Sequence, residues 1–117
     1  MMKTLIMVAL GGALGACLRY LVGLTFGFPL GTLAVNVAGS LAIGVVWVAL
    51  ADKALLLPFL MTGLLGGFTT FSAFSLDTMR LLETGRAAVA FSYVGASVIL
   101  SLAACLLGLW VAREVLA

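Results

Sequence analysis

Gly66-Gly67-Phe68-Thr69-Thr70-Phe71-Ser72-Ala73-Phe74-Ser75 is the stretch on which the reading of this chain turns. It sets two adjacent glycines, four hydroxyl side chains and three phenylalanines near the middle of a long apolar segment. Glycine and Ser/Thr clusters are recognised places for a helix to kink or stop. At such a stop, backbone carbonyls and amides lose their partners within the helix. Unwound backbone at membrane depth persists only where protein buries it or a wet cavity lines it. The run therefore predicts a broken membrane helix. Free carbonyls at breaks of this kind hold cations, and Phe71 and Phe74, three residues apart, face the same way.

The rest of the chain supplies the membrane. Of its 117 residues, 65% are hydrophobic and 9% charged, against about 45–50% and about 25% in a soluble domain. No water-soluble fold of this size hides so much apolar surface, so lipid is the solvent. The net charge of +2, with no basic run, gives no footing for nucleic acid. Histidine is absent, and Cys17 and Cys105 have no metal-ligand spacing and read as small packing residues. A charge at the bilayer centre is costly, so the few charges mark span edges. Four spans result: Thr4–Phe26, Gly31–Ala51, Leu55–Leu82 and Ala87–Val111. Each is close to the roughly 20 residues that cross the hydrocarbon core. Lys3 followed by Leu5–Leu10 imitates a signal peptide, but the apolar stretch continues to Leu18 and reads as a retained first span. The connections are very short, so residues 1–117 are expected to be a single four-helix domain.

Four spans put both termini on one side. Lys3, Lys53 and Arg113 lie on that side, and Arg19, Arg80 and Arg86 on the other. This balance removes the usual orientation bias. It leaves two readings: one orientation set by other features, or insertion both ways with antiparallel pairing. Gly11/Gly15, Gly12/Ala16 and Gly63/Gly67 are small-xxx-small pairs, which let helix backbones approach closely in lipid. Spacing alone does not say whether that approach lies within one subunit or between two.

Two further polar clusters sit at membrane depth. Thr32 and Asn36 share a face of the second span, in GTLAVNVAGS. Tyr93, Ser97 and Ser101, spaced by four, share a stripe of the fourth. Each cluster alone reads as glue between helices. Together with the broken run they read as the wall of a polar path. The path offers neutral donors: amide, hydroxyls and ring edges, whose potential is positive. Asp77 is expected toward the end of the third span, which leaves no acid deep in the membrane and argues against proton coupling through a buried carboxylate. Neutral donors suit a small anion, because conduction needs binding weak enough to release it.

GGALGACLRY, GTLAVNVAGS and GGFTTFSAF, in that order and spacing, resemble the Fluc (CrcB) fluoride channels across nearly the whole chain. The resemblance implies a passive, fluoride-selective channel in the cell (inner) membrane that exports fluoride from the cytoplasm. It implies an all-α antiparallel dual-topology dimer with two pores; a homodimer is expected, and some members pair non-identical subunits. By the same resemblance Asn36 is a pore-lining donor, and Phe71 and Phe74 are the rings whose edges face fluoride. Ser72, Ser97 and Ser101 belong to a polar track, Tyr93 to the pore wall, and Thr32 supports the track. The carbonyls of Gly66 and Thr69 bind a central structural sodium ion, and Arg19 stands near the vestibule. The family commonly has threonine where this chain has Ala73, so that hydroxyl is missing from the track.

Two other classes compete with this reading. A small dual-topology multidrug-type exporter shares the size and charge balance but needs a carboxylate embedded in the first span, and none lies between Lys3 and Arg19. A non-transporting membrane scaffold would pass no ion at all.

Overall fold

The computed structural model describes residues 1–116. Four helical passes are long and apolar enough to cross a bilayer, and no strand occurs among the described residues. The first is α1 (Met2–Phe26) and the second α2 (Leu30–Ala49). The third is assembled from pieces: α3 (Leu56–Pro58), a π-helix (Phe59–Leu65), α4 (Gly66–Phe68) and α5 (Phe71–Glu83). The fourth is α6 (Ala87–Leu116). The spans expected from sequence are all present. The last runs on past Val111, so Arg113 and Glu114 are helical rather than beyond the helix end.

Burial has the pattern of a protein solvated by lipid. Leu5, Leu10, Leu14, Leu21, Ile99, Leu102 and Leu106 all point outward. Among the described residues, only Leu81 and Val35 are large side chains that are fully buried. In lipid an outward Leu costs nothing, so helices associate through close backbone packing instead.

Glycines create that packing. A Cβ at Gly44 would stand 2.9 Å from the Leu109 nitrogen, and one at Gly108 3.2 Å from the Val45 nitrogen, which seats α2 against α6. The same device seats α1 against the third pass. A Cβ at Gly63 would stand 2.9 Å from the Val8 carbonyl oxygen, and one at Gly67 2.6 Å from that of Gly12. Gly11 and Gly15 face Phe59, Leu64 and Phe68 in return. The small-xxx-small pairs thus serve contacts inside one chain.

The third pass does break, but not at its glycines. Gly66 and Gly67 are helical. The chain leaves the helix at Thr69 (φ −85°, ψ 160°) and Thr70 (φ −156°, ψ 121°), both extended. β-Branched residues favour that conformation, and Thr70 then serves as the N-cap of α5, its hydroxyl accepting from the Ala73 N–H at 3.1 Å. The π-helix ahead of the break is the rarer i→i+5 form, which is frequent at functional sites.

A methyl group at Gly15 would collide with the Leu64 carbonyl and lie 2.8 Å from the Phe68 nitrogen. Backbone cannot step aside as a side chain can, so Gly15→Ala should lose about 1–3 kcal/mol, read as a lower thermal midpoint of the detergent-purified protein. Gly95 has no atom within 4 Å of its Cβ position, and Gly95→Ala should hold or raise the midpoint. Equal losses in the two variants would refute the packing account.

Candidate functional site

The site begins with the two extended residues of the broken pass. In a continuous helix the Thr70 N–H would bond the Gly66 carbonyl; here it donates to Asn36 Oδ1 at 2.7 Å. Asn36 Nδ2 donates to the Thr70 carbonyl at 2.9 Å. One amide on α2 therefore satisfies both backbone groups of Thr70. The Ala73 N–H, which would bond the Thr69 carbonyl, goes to the Thr70 hydroxyl instead. Gly66 and Thr69 are thereby deprived of their intrahelical partners. The Gly67 carbonyl is released too, but Arg19 Nε donates to it at 3.0 Å.

An open groove of about 420 Å³ runs beside the break. Asn36 and Ser40 of α2, Gly66, Thr69 and Thr70 of the break, Phe71 and Phe74 of α5, and Ser97 and Ser101 of α6 all line it. Asn36 reaches it with the one amide N–H that Thr70 does not take. Ser97 and Ser101 have buried hydroxyl oxygens with no hydrogen-bond partner. Helical serines usually have an easy escape, the carbonyl four residues back; Ser75 and Ser92 take it at 3.0 and 2.9 Å. An unpaired buried hydroxyl costs about 1–3 kcal/mol.

Phe71 and Phe74 stand with ring centroids 5.5 Å apart, and Phe71 is 78% exposed. Phe74 also packs on Tyr93, centroid to centroid 5.4 Å. On the far side of the break a second groove, of about 250 Å³, is lined by Arg19, Tyr20, Thr32, Thr70 and Ala73. Thr70 borders both.

Of the residues named from sequence, Asn36, Gly66, Thr69, Phe71, Phe74, Ser97 and Ser101 meet at the first groove. Arg19 and Thr32 stand at the second. Tyr93 is buried behind Phe74 and lines neither, and Ser72 is exposed, its hydroxyl 3.3 Å from that of Thr70. Ser40 was not named, although its spacing of four from Asn36 puts it on the same stripe.

Asp77 requires a correction. It lies midway along α5, in the later part of the third pass, and it is not a water-facing charge: the residue is 7% exposed. Thr32 Oγ1 donates to its Oδ2 at 2.7 Å, the Tyr93 hydroxyl reaches the same oxygen at 3.4 Å, and Arg80 Nη1 is 3.9 Å from Oδ1. A short acid one turn before Arg80, opposite two hydroxyl-bearing helices, is satisfied inside the protein. The third pass therefore carries a carboxylate that the protein itself buries and satisfies. Asp77 lines neither groove.

Comparison with known proteins agrees with this architecture. A family described as "CrcB-like protein, Camphor Resistance (CrcB)" matches residues 6–109. A protein of Paracoccus denitrificans named fluoride-specific ion channel FluC is 56% identical, covering 100% of both chains. Proteins of the same name from Cereibacter sphaeroides and Roseobacter denitrificans are 55% and 52% identical, over 97% of this chain in each case. With the family matched over most of its length and such relatives end to end, this four-pass chain belongs to the CrcB family.

Proposed function

We propose that the protein is a passive fluoride channel that lets fluoride leave the cytoplasm through the cell membrane. The observation that carries the reading is that Ser97 and Ser101, whose buried hydroxyls have no partner, line a groove together with Asn36 and the Phe71–Phe74 rings. These are neutral donors and ring edges, with no fixed cation in the groove lining. Such a wall replaces the water around a small anion without trapping it. The relatives' name, fluoride-specific ion channel, points to the same ion.

Several finer features belong to the proposal. The unit is an antiparallel dual-topology dimer with two pores, most simply a homodimer. Two features support it: the cations balanced across the two faces, and a 78% exposed Phe71 at the edge of a groove that one chain leaves open. A second copy would cover that ring and close the groove into a pore. The carbonyls of Gly66 and Thr69 would hold a structural sodium ion. The donor set fits: both carbonyls are released by the break, and a hard cation takes such oxygens without any acidic cluster. Bound there, sodium would neutralise the carbonyl dipoles and fix the ends of the broken helix. Arg19, tied to the Gly67 carbonyl and bordering the second groove, supplies positive potential at an anion vestibule. Thr32 and Tyr93 support the pore wall from behind, and Ser72 attends the vestibule through Thr70.

The reading is tested with the purified protein in liposomes loaded with potassium fluoride and opened to potassium by an ionophore. Fluoride should appear outside at once, read by a selective electrode, while chloride-loaded liposomes release nothing. Equal rates for the two ions, or none for either, would overturn the channel reading.

Phe71→Ile and Phe74→Ile keep bulk but lose the ring edge. Each should slow fluoride efflux by roughly tenfold or more, equivalent to about 1.4 kcal/mol lost to the passing ion. Unchanged efflux in both variants would remove ring edges from the mechanism.

Ser97→Ala and Ser101→Ala delete the two unpartnered hydroxyls. Both should slow efflux while holding or raising the thermal midpoint, because a buried donor without a partner costs stability. A lowered midpoint with normal efflux would make these serines structural.

A further inference from the structure

Asp77 is buried, lines neither groove and is bonded to two of the residues that the fluoride reading assigns to the pore. Its Oδ2 gathers the Thr32 hydroxyl from α2 at 2.7 Å and the Tyr93 hydroxyl from α6 at 3.4 Å. One carboxylate on α5 therefore ties three helices together at one level. Its second oxygen faces Arg80 at 3.9 Å, and the Arg80 guanidinium in turn covers the Phe28 ring at 4.1 Å; Arg80 itself does not line the groove.

The bond to Tyr93 has a consequence in the groove. Tyr93 is held by its hydroxyl at one end and presses its ring on Phe74, 5.4 Å between centroids and tilted 38°. Phe74 then meets Phe71 at 5.5 Å and 59°. A ring offers an anion its edge but repels it from its face, so the tilt of Phe74 decides which is presented. Resting on the channel reading above, we propose that Asp77 is a positioning residue: through the Tyr93 hydroxyl it fixes the Phe74 ring with its edge toward the groove. It follows that the Thr32 and Tyr93 hydroxyls are committed to Asp77 and do not serve the ion as donors.

The same geometry explains why the acid is tolerated beside an anion path. A carboxylate lining the groove would repel fluoride. Behind Tyr93, satisfied by two hydroxyls and faced by Arg80, it acts through shape.

The test uses full-length protein carrying 4-fluorophenylalanine at position 74. Its fluorine NMR resonance reports the ring's surroundings whether or not the protein conducts. The parent protein should give one narrow resonance. Tyr93→Phe keeps the ring and removes only the hydroxyl; Asp77→Ala removes the acceptor. Both should shift or broaden the resonance alike and slow efflux by roughly tenfold, the scale of one buried hydroxyl losing its partner. Asp77→Asn retains one acceptor oxygen and should restore part of both signals. The double variant Asp77→Ala/Tyr93→Phe should be no slower than the slower single variant, because both substitutions break one connection.

Slower efflux in Asp77→Ala with an unmoved resonance, or rate losses that multiply in the double variant, would overturn the proposal and put Asp77 on the ion path itself. If Asp77→Ala fails to fold, Tyr93→Phe decides alone: an unmoved resonance at position 74 refutes the connection. If the unsubstituted protein passes no fluoride, the channel reading falls, and the resonance still reports whether Asp77 sets the ring.

Discussion

A single asparagine amide closed onto both backbone groups of Thr70 is what the rest of the site depends on. Two extended residues in the middle of a membrane span leave an N–H and a carbonyl with nowhere to go, and in hydrocarbon each costs several kcal/mol. Asn36 answers both at 2.7 and 2.9 Å from the neighbouring helix. Serine or threonine could answer only by turning one oxygen to both tasks, and a charged side chain would bring its own desolvation. The amide matches a peptide group donor for acceptor, so the break is held without any charge.

That one closure sets the surrounding chemistry. By drawing the Thr70 N–H aside it strips the Gly66 carbonyl of its partner, and the Thr70 cap of Ala73 does the same to Thr69. Oxygens that a helix would have consumed become available, while the restart at Phe71 brings both phenyl rings to the groove lining. The hydroxyls of Ser97 and Ser101 complete the wall from α6. Polar capacity at membrane depth is thus made largely from backbone, hydroxyl and amide, with the one buried acid kept behind an aromatic ring.

Close packing of α1 makes this affordable in a chain with hardly any large buried side chains. Gly11 and Gly15 on one side and Gly63 and Gly67 on the other bring backbone against backbone, and Arg19 then reaches the Gly67 carbonyl at the edge of the break. Gly67, next to the break, works as contact surface, and neither it nor Gly66 is where the helix stops. A glycine pair is an ambiguous signal in sequence because flexibility and slimness come from the same missing Cβ. Only the neighbouring helix tells which is used, and here the β-branched pair Thr69–Thr70 leaves the helix while the glycines remain in it.

By itself, the sequence determined the solvent, the four spans and the interruption of the third, because composition and local periodicity are properties of the chain alone. Periodicity also grouped Asn36, the phenylalanine pair and Ser97–Ser101 as polar or aromatic stripes, all of which line one groove. Ser40, one turn beyond Asn36 on the same stripe, lines that groove as well. Tertiary structure alone decided the rest. It moved the break from the glycines to the threonines, assigned the small-residue pairs to contacts within the chain, and turned Asp77 from an edge charge into the tie between Thr32 and Tyr93. The reason is common to all three: whether a backbone group, a glycine or a carboxylate is satisfied depends on what a helix distant in sequence places opposite it.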